Sequence, residues 1–240
     1  MSKKELLLVL ANSQKNGGRC VAGKLLTPNG NGTYDVGRWV RLIHPDRREG
    51  EIPAEMTLID DQWLAPFDVI EIGLDKAMRD SHHPEDWLID PGTTWRRTFY
   101  ISKGDLPQLC DDPVDLWGKD SAICRRVPVG YVSQMTVPAT LRLVAATSPC
   151  AVRGFIEDRM DGRGPRVRVR LQIPHEGVIH EFDVKDLAFL ARYGIEEIVR
   201  KYGRFELLLA VPSKVGFCLS LTPPFNDYQY KIAAAIIELS

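Results

Sequence analysis

The sequence is short of most features that announce an enzyme or a membrane protein. It has 240 residues and only five cysteines, Cys20, Cys110, Cys124, Cys150 and Cys218, with no C-x-x-C pair among them. A structural zinc site needs closer pairs, and a secreted disulfide framework favours an even count in a shorter chain. Reduced thiols are expected, and with them a cytoplasmic location. No apolar run approaches the ~18 residues of a membrane span. Leu6–Ala11, after Lys3-Lys4, is too short for a signal peptide and is interrupted by Asn12-Ser13-Gln14-Lys15. The motifs G-x-x-x-x-G-K-[ST], G-x-S-x-G and H-E-x-x-H do not occur, so no phosphate loop, nucleophile elbow or zinc-protease helix is signalled. No cofactor and no membrane contact are expected.

Charge is also scarce in net terms. The formal net charge is −1, so there is no global basic signature. The halves differ: residues 1–120 hold 15 Lys/Arg and 20 Asp/Glu, and residues 121–240 hold 16 and 12. A polyanion-binding surface is therefore expected in the second half more readily than in the first.

What remains is a chain of short strands. Glu5–Leu10 is a continuous apolar run, followed by a polar loop at Asn12–Gly18. Gly18–Lys24 and Gly37–Ile43 alternate as strands, joined by the turn residues Thr27-Pro28-Asn29-Gly30-Asn31-Gly32. Further strands are expected at Asp68–Leu74, Glu85–Ile89, Trp95–Ile101, Val127–Val132, Leu141–Ala145 and Arg153–Ile156. Arg166–Ile173 is the cleanest alternation, with Val178–Phe182 as its partner. Asp183 reads as the N-cap of a helix ending near Gly194, and a second helix covers Ile195–Tyr202. Glu206–Val211 and Val215–Leu221 are strands, and Tyr230–Ile237 is a final strand or a short helix: Ala233-Ala234-Ala235 favours helix, the preceding Tyr and flanking Ile residues a strand. Two clusters of about five short strands suit small five-stranded barrels with a helix between strands three and four. The expectation is a mainly β protein of two tandem OB-like barrels. They divide at residues 120 and 121, with helices near 184–202 in the second.

Two arginine sets carry the binding hypotheses. Arg166, Arg168 and Arg170 share one face of a strand, about 6.6–6.8 Å apart, close to the phosphate spacing of an extended single strand. The bland reading is a solvated strand face paired with Glu181 and Asp183. Arg19, Arg38, Trp39 and Arg41 form the second set, with Lys15 in the loop beside them. There a base would stack on Trp39 while cations hold the backbone. The alternative is that Trp39 is buried within or between the barrels. His82-His83-Pro84-Glu85-Asp86 invites a metal reading, but adjacent histidines on extended chain point opposite ways. A loop whose acidic side chains accept backbone hydrogen bonds explains it better. Asp183-Val184-Lys185 resembles a nuclease D-x-K triplet, which would need a second carboxylate nearby and a metal; a capping role for Asp183 competes with it. No metal site and no catalytic residue are nominated.

The order of motifs resembles a known family. Leu10-Ala11-Asn12-Ser13, Gly18-Arg19-Cys20-Val21-Ala22-Gly23 and Gly37-Arg38-Trp39-Val40-Arg41 resemble the opening of the bacterial dual OB-containing domain family. His83–Leu88, Cys218–Thr222 and Tyr230–Ala234 are similar to its later blocks. Asp86 stands where the family pattern has Asn, and Leu42-Ile43-His44-Pro45 follows Arg41 where it has Arg-Pro. The resemblance implies two OB barrels, nucleic-acid binding and a place in antiviral defence, with no catalytic residues to carry over. The expected function is a non-enzymatic module tracking RNA or DNA through its backbone. The alternative is an adaptor or small-ligand sensor docked on a partner protein of a defence complex.

Overall fold

The computed structural model describes residues 3–15, 17–78, 82–112, 115–118, 125–159, 163–209 and 214–239. The boundary expected at residues 120 and 121 lies outside these residues. The first half contributes β1 (Lys3–Lys15), β2 (Gly18–Pro28), β3 (Tyr34–Ile43), β4 (Leu58–Ile59), β5 (Gln62–Trp63), β6 (Asp68–Ala77), β7 (Asp86–Ile89), β8 (Arg96–Tyr100) and the one-turn helix α1 (Leu106–Leu109). The second contributes β9 (Arg126–Pro128), β10 (Leu141–Ala145), β11 (Cys150–Glu157), β12 (Arg166–His175), β13 (Val178–Val184), α2 (Leu187–Arg192), α3 (Ile195–Tyr202), β14 (Arg204–Leu209), β15 (Val215–Leu221) and β16 (Tyr228–Glu238).

The first barrel closes as a ring. β1, β2 and β3 form an antiparallel meander, β3 runs parallel to β7, β7 pairs antiparallel with β6, and β6 returns to β1. This is a five-stranded OB barrel, with β8 added on β6. β1 and β2 approach so closely that a β-carbon on Gly23 would stand 1.9 Å from the carbonyl oxygen of Leu8. Only glycine fits there.

The second barrel repeats the plan with two strands broken in the middle. β10 pairs with β15 from Leu141↔Ser220 to Ala145↔Gly216, and β11 pairs with β14 from Cys150↔Leu209 to Phe155↔Arg204. The two ladders are one antiparallel pairing with a short offset, so β10–β11 and β14–β15 act as the first and fourth strands. β12 and β13 follow as strands two and three, β13 runs parallel to β16, and β15 closes on β16. Helices α2 and α3 lie between strands three and four, and α3 packs on Gly154, where a β-carbon would meet Val199 at 2.5 Å.

Each barrel has its own apolar core, and a third core lies between them. Leu8, Leu10, Phe67 and Val69 of the first barrel join Leu143, Cys218, Ala234 and Ile237 of the second, with Leu106 and Leu109 of α1. Polar bonds lock the same seam. Asp111 accepts from Lys24 Nζ (2.8 Å), Trp39 Nε1 (3.0 Å) and Leu143 N (2.8 Å). Gln14 N donates to Lys185 O at 3.1 Å.

Two local expectations are corrected. Asn12–Lys15 is not loop but the end of β1, because it pairs with Gly18–Val21. The helix does not start at Asp183: β13 runs through Val184, and Asp186 is the N-cap, its Oδ1 accepting from Phe189 N at 3.0 Å. Asp183 instead pairs in the sheet with Arg170 and Ile232.

Candidate nucleic-acid interface

A cleft of 1180 Å³ opens between the barrels. That exceeds the ~300–1,000 Å³ of a usual small-molecule pocket. OB barrels present the face of strands two and three, and the loops joining strands one to two and four to five, to their ligands. Here those features converge. The loop between strands four and five of the first barrel supplies Met78, His82 and His83; its counterpart in the second supplies Thr222, Pro223, Pro224 and Phe225. Strands two and three of the second barrel and the residue just beyond add Arg166, Arg168, Asp183 and Lys185. Ser13, Gln14 and Lys15 lie at the end of β1, and Arg47 and Arg48 come from the segment after β3.

Cations outnumber carboxylates on this lining: Lys15, Arg41, Arg47, Arg48, Arg166, Arg168 and Lys185 against Glu49, Asp86 and Asp183. They are not equally available. Arg166 bonds Glu157 (2.6 Å), and Arg168 bonds Glu157 (2.8 Å) and Asp183 (3.0 Å). Arg170 reaches Glu157, Glu181 and Asp183 at 3.5–3.6 Å and does not line the cleft. The hydrogen bonds from Arg168 and then Arg166 hold the Glu157 carboxyl down to about 2. The arginine row is thus a charge-balanced face, neutralised by Glu157 across the β11–β12 hairpin and by Glu181 and Asp183 on β13. Among the described residues, Arg47, Arg48 and Lys185 make no salt bridge, and Lys15 Nζ donates to the backbone carbonyl of Glu49.

The first-barrel set is dispersed. Arg41 is 4% exposed and is bonded into the seam between the barrels. Its Nη1 donates to Asp86 (3.1 Å), and its Nη2 donates to Thr140 Oγ1 (3.1 Å) and Ser220 Oγ (2.9 Å). Its partners outweigh the cost of burial and raise its pKa. Trp39 is half-buried against Asp111, with Lys24 Nζ 5.3 Å from its ring, and takes no part in the cleft. Arg38 stacks on Trp87 at 4.2 Å and Arg19 on Trp63 at 5.3 Å, both outside the cleft. Of the predicted residues, the cleft brings together Lys15, Arg166, Arg168 and the buried Arg41.

The histidine stretch is a structural clasp. Glu85 accepts from Thr140 N and Thr140 Oγ1, both at 2.7 Å, and from Leu141 N at 3.3 Å. The Thr140 hydroxyl gives its one proton to Glu85, so His83 Nδ1, 3.0 Å from Thr140 Oγ1, is the donor to it. Burial, then Arg41 and Lys15, push the His83 pKa far down. The D-x-K residues sit at a strand end, but Asp183 and Glu157 meet on Arg168 rather than across an open gap. Among the described residues, no group of three or more His, Cys, Asp or Glu side chains is placed to hold a metal. None of their helices is long and apolar enough to cross a membrane.

Phe225 is the exposed aromatic of the cleft, 65% accessible. Asn226 and Asp227 both have positive φ, 48° and 64°, and Phe225 and Tyr228 exchange backbone hydrogen bonds at 2.8 and 3.2 Å. This is a two-residue hairpin turn, so the ring is mounted on a rigid tip beside Tyr230. The sequence marks Lys185 only as the lysine of the D-x-K triplet, and Arg47, Arg48 and Phe225 were not foreseen. The only signals in the sequence were the doubled arginine of the Pro45–Glu51 loop and the apolar ring beside Pro223-Pro224.

Comparison with known families matches residues 5–236 to the dual OB-containing domain. No curated protein matches. Two solved structures are similar in shape. One is a murine DNA-binding protein bound to double-stranded DNA, at 8% identity, TM-score 0.31 and 99% coverage of each chain. The other is a replication protein A heterotrimer bound to single-stranded DNA, at 9% identity and TM-score 0.35. It is covered over 49% of its chain and 100% of this one.

Proposed function

The chain belongs to the dual OB-containing domain family, and from that premise we propose that the cleft between its barrels binds a nucleic-acid strand. The observation that carries the reading is the convergence of both four-to-five loops on one cation-rich cleft. Arg47, Arg48, Lys15 and Lys185 supply charge for the phosphates, and Phe225 supplies a stacking surface. We infer a binding module rather than an enzyme, because Glu157 and Asp183, the carboxylates a metal-dependent nuclease would need beside Lys185, are taken up in salt bridges with Arg166 and Arg168. As its setting we propose bacterial antiviral defence in the cytoplasm, on the family resemblance alone; phage plating on strains with and without the gene tests that.

Fluorescence anisotropy with single-stranded RNA, single-stranded DNA and duplex DNA across a salt titration tests the ligand. Binding whose log affinity falls steeply with log salt supports the reading. No binding of any of the three at low salt ends it. The charge-balanced arginine face favours one second reading, an adaptor docked on a partner protein. In that case purified chain and partner co-elute without nucleic acid.

A further inference from the structure

The cleft floor holds one polar group that the strand-binding reading leaves unused. Ser13 lines the cleft, is fully buried, and its Oγ has no hydrogen-bond partner. Buried hydroxyls are nearly always bonded, so an orphan under a cleft asks for a partner from outside the chain. Ser13 and Lys15 stand two residues apart on β1 and share a face. The bond from Gln14 N to Lys185 O, 3.1 Å, places Lys185 beside them, and its own N–H donates to Ala233 O at 2.9 Å. Lys185 is thus fixed at the seam. Burial lowers its pKa, with Arg168 and Arg166 adding to the effect and Asp183 opposing it. Asp183 is itself held by Arg168 Nη1 at 3.0 Å and Arg170 Nε at 3.5 Å. An anion at this point would meet two ammonium groups and a free hydroxyl.

Arg41, Asp86 and Ser220 are buried and bonded to one another or to their neighbours. These three line the same cleft but are taken up by their own bonds, so the groups left for an anion are Ser13, Lys15 and Lys185. A phosphodiester carries one charge and a terminal phosphate close to two, which two ammonium groups balance better.

We propose that Ser13, Lys15 and Lys185 form a subsite for a phosphate monoester, on the end of a nucleic-acid strand or on a free nucleotide. The subsite sharpens the strand-binding reading without depending on it.

The test compares one single-stranded oligonucleotide with a 5′-phosphate, a 3′-phosphate or hydroxyl ends by anisotropy. Calorimetry compares adenosine monophosphate with adenosine. One phosphorylated end is expected to bind about tenfold tighter than the hydroxyl form. In Ser13→Ala and Lys185→Met the ratio between the two forms collapses. Ser13→Ala removes an unpartnered hydroxyl, so its melting temperature holds or rises, and the lost ratio is not unfolding. A preference seen with the mononucleotide alone, without oligonucleotide binding, supports the subsite with a free nucleotide and ends the strand reading. Equal binding of all ends, with no preference for the monophosphate, overturns the subsite and leaves the strand reading standing. No binding by any probe overturns both.

Discussion

Glu85 holds Thr140 with both of its side-chain oxygens, one on the backbone N–H and one on the hydroxyl, each at 2.7 Å. The two residues belong to different barrels, and the bond sits inside the seam. Glu85→Ala leaves Thr140 N, Thr140 Oγ1 and Leu141 N without their acceptor in a buried place. A stability loss of about 3 kcal/mol is expected from buried groups left unpaired. Urea unfolding reads it as a lower midpoint with unchanged slope. A change below about 0.5 kcal/mol, the size of an ordinary surface substitution, would show that the clasp is ornamental.

The charge of the cleft resides in Arg47 and Arg48 more than in the arginine row. Arg47→Ala/Arg48→Ala should weaken binding across all sequences and flatten the salt dependence by roughly 1.5 in log–log slope. The control is Arg19→Ala/Arg38→Ala, which removes the same charge outside the cleft. Its slope should match the wild type. Equal flattening in both variants would mean diffuse attraction rather than a cleft.

Phe225 and Trp39 separate stacking from structure. Phe225→Ala should cost about 1–3 kcal/mol of strand affinity, leaving the salt slope and the fold unchanged. Trp39→Ala should do the reverse. It opens the seam at Asp111 and lowers stability by about 2–4 kcal/mol. Loss of affinity from Trp39→Ala at wild-type stability would return the ligand to the first barrel.

Two acid windows are expected in the stability of the protein. His180 is driven from 6.5 to about 4, first by burial and then by Lys231, whose Nζ lies 3.0 Å from its Nδ1. The unfolded chain takes up that proton first, so stability is lost as pH falls from about 6.5 towards 4. Glu157 is lowered from 4.5 to about 2, so its contribution is lost as pH falls from about 4.5 towards 2. His180→Gln should flatten the upper window and Arg166→Ala/Arg168→Ala the lower one. Chemical unfolding at a series of pH values checks both, and an unaltered profile in either variant refutes its assignment.

Much of the fold was legible because its signals are local. Period-two alternation marked Arg166–Ile173, and glycine on either side marked Ile195–Tyr202, which the structure reproduces as α3. The N-cap was misplaced because Asp183 and Asp186 are chemically equal; only the parallel pairing of Val184 with Ala233 keeps the strand going past the first. The arginine row shows the limit most clearly. Its alternation was plain, yet Glu157 lies nine residues before Arg166 and faces it only once β11 and β12 form a hairpin, with Glu157 opposite Arg166. Arg41 read like its neighbour Arg38, and only the second barrel, through Thr140 and Ser220, makes it a buried residue. The cleft itself has no sequence signal at all. It exists because segments far apart in the chain meet at a seam.

The apolar core shared by Leu10, Val69, Leu143 and Cys218 also fixes how the barrels sit. A gap whose walls are welded together cannot close like a jaw. Its width is a constant of the fold, so the guest must do the bending. A single strand, whose bonds rotate freely, conforms to such a mould at little cost. Duplex DNA, stiff over about 150 base pairs, is expected to conform less well. On the strand-binding reading, the weld that stabilises the molecule would thereby gauge the suppleness of what the cleft admits.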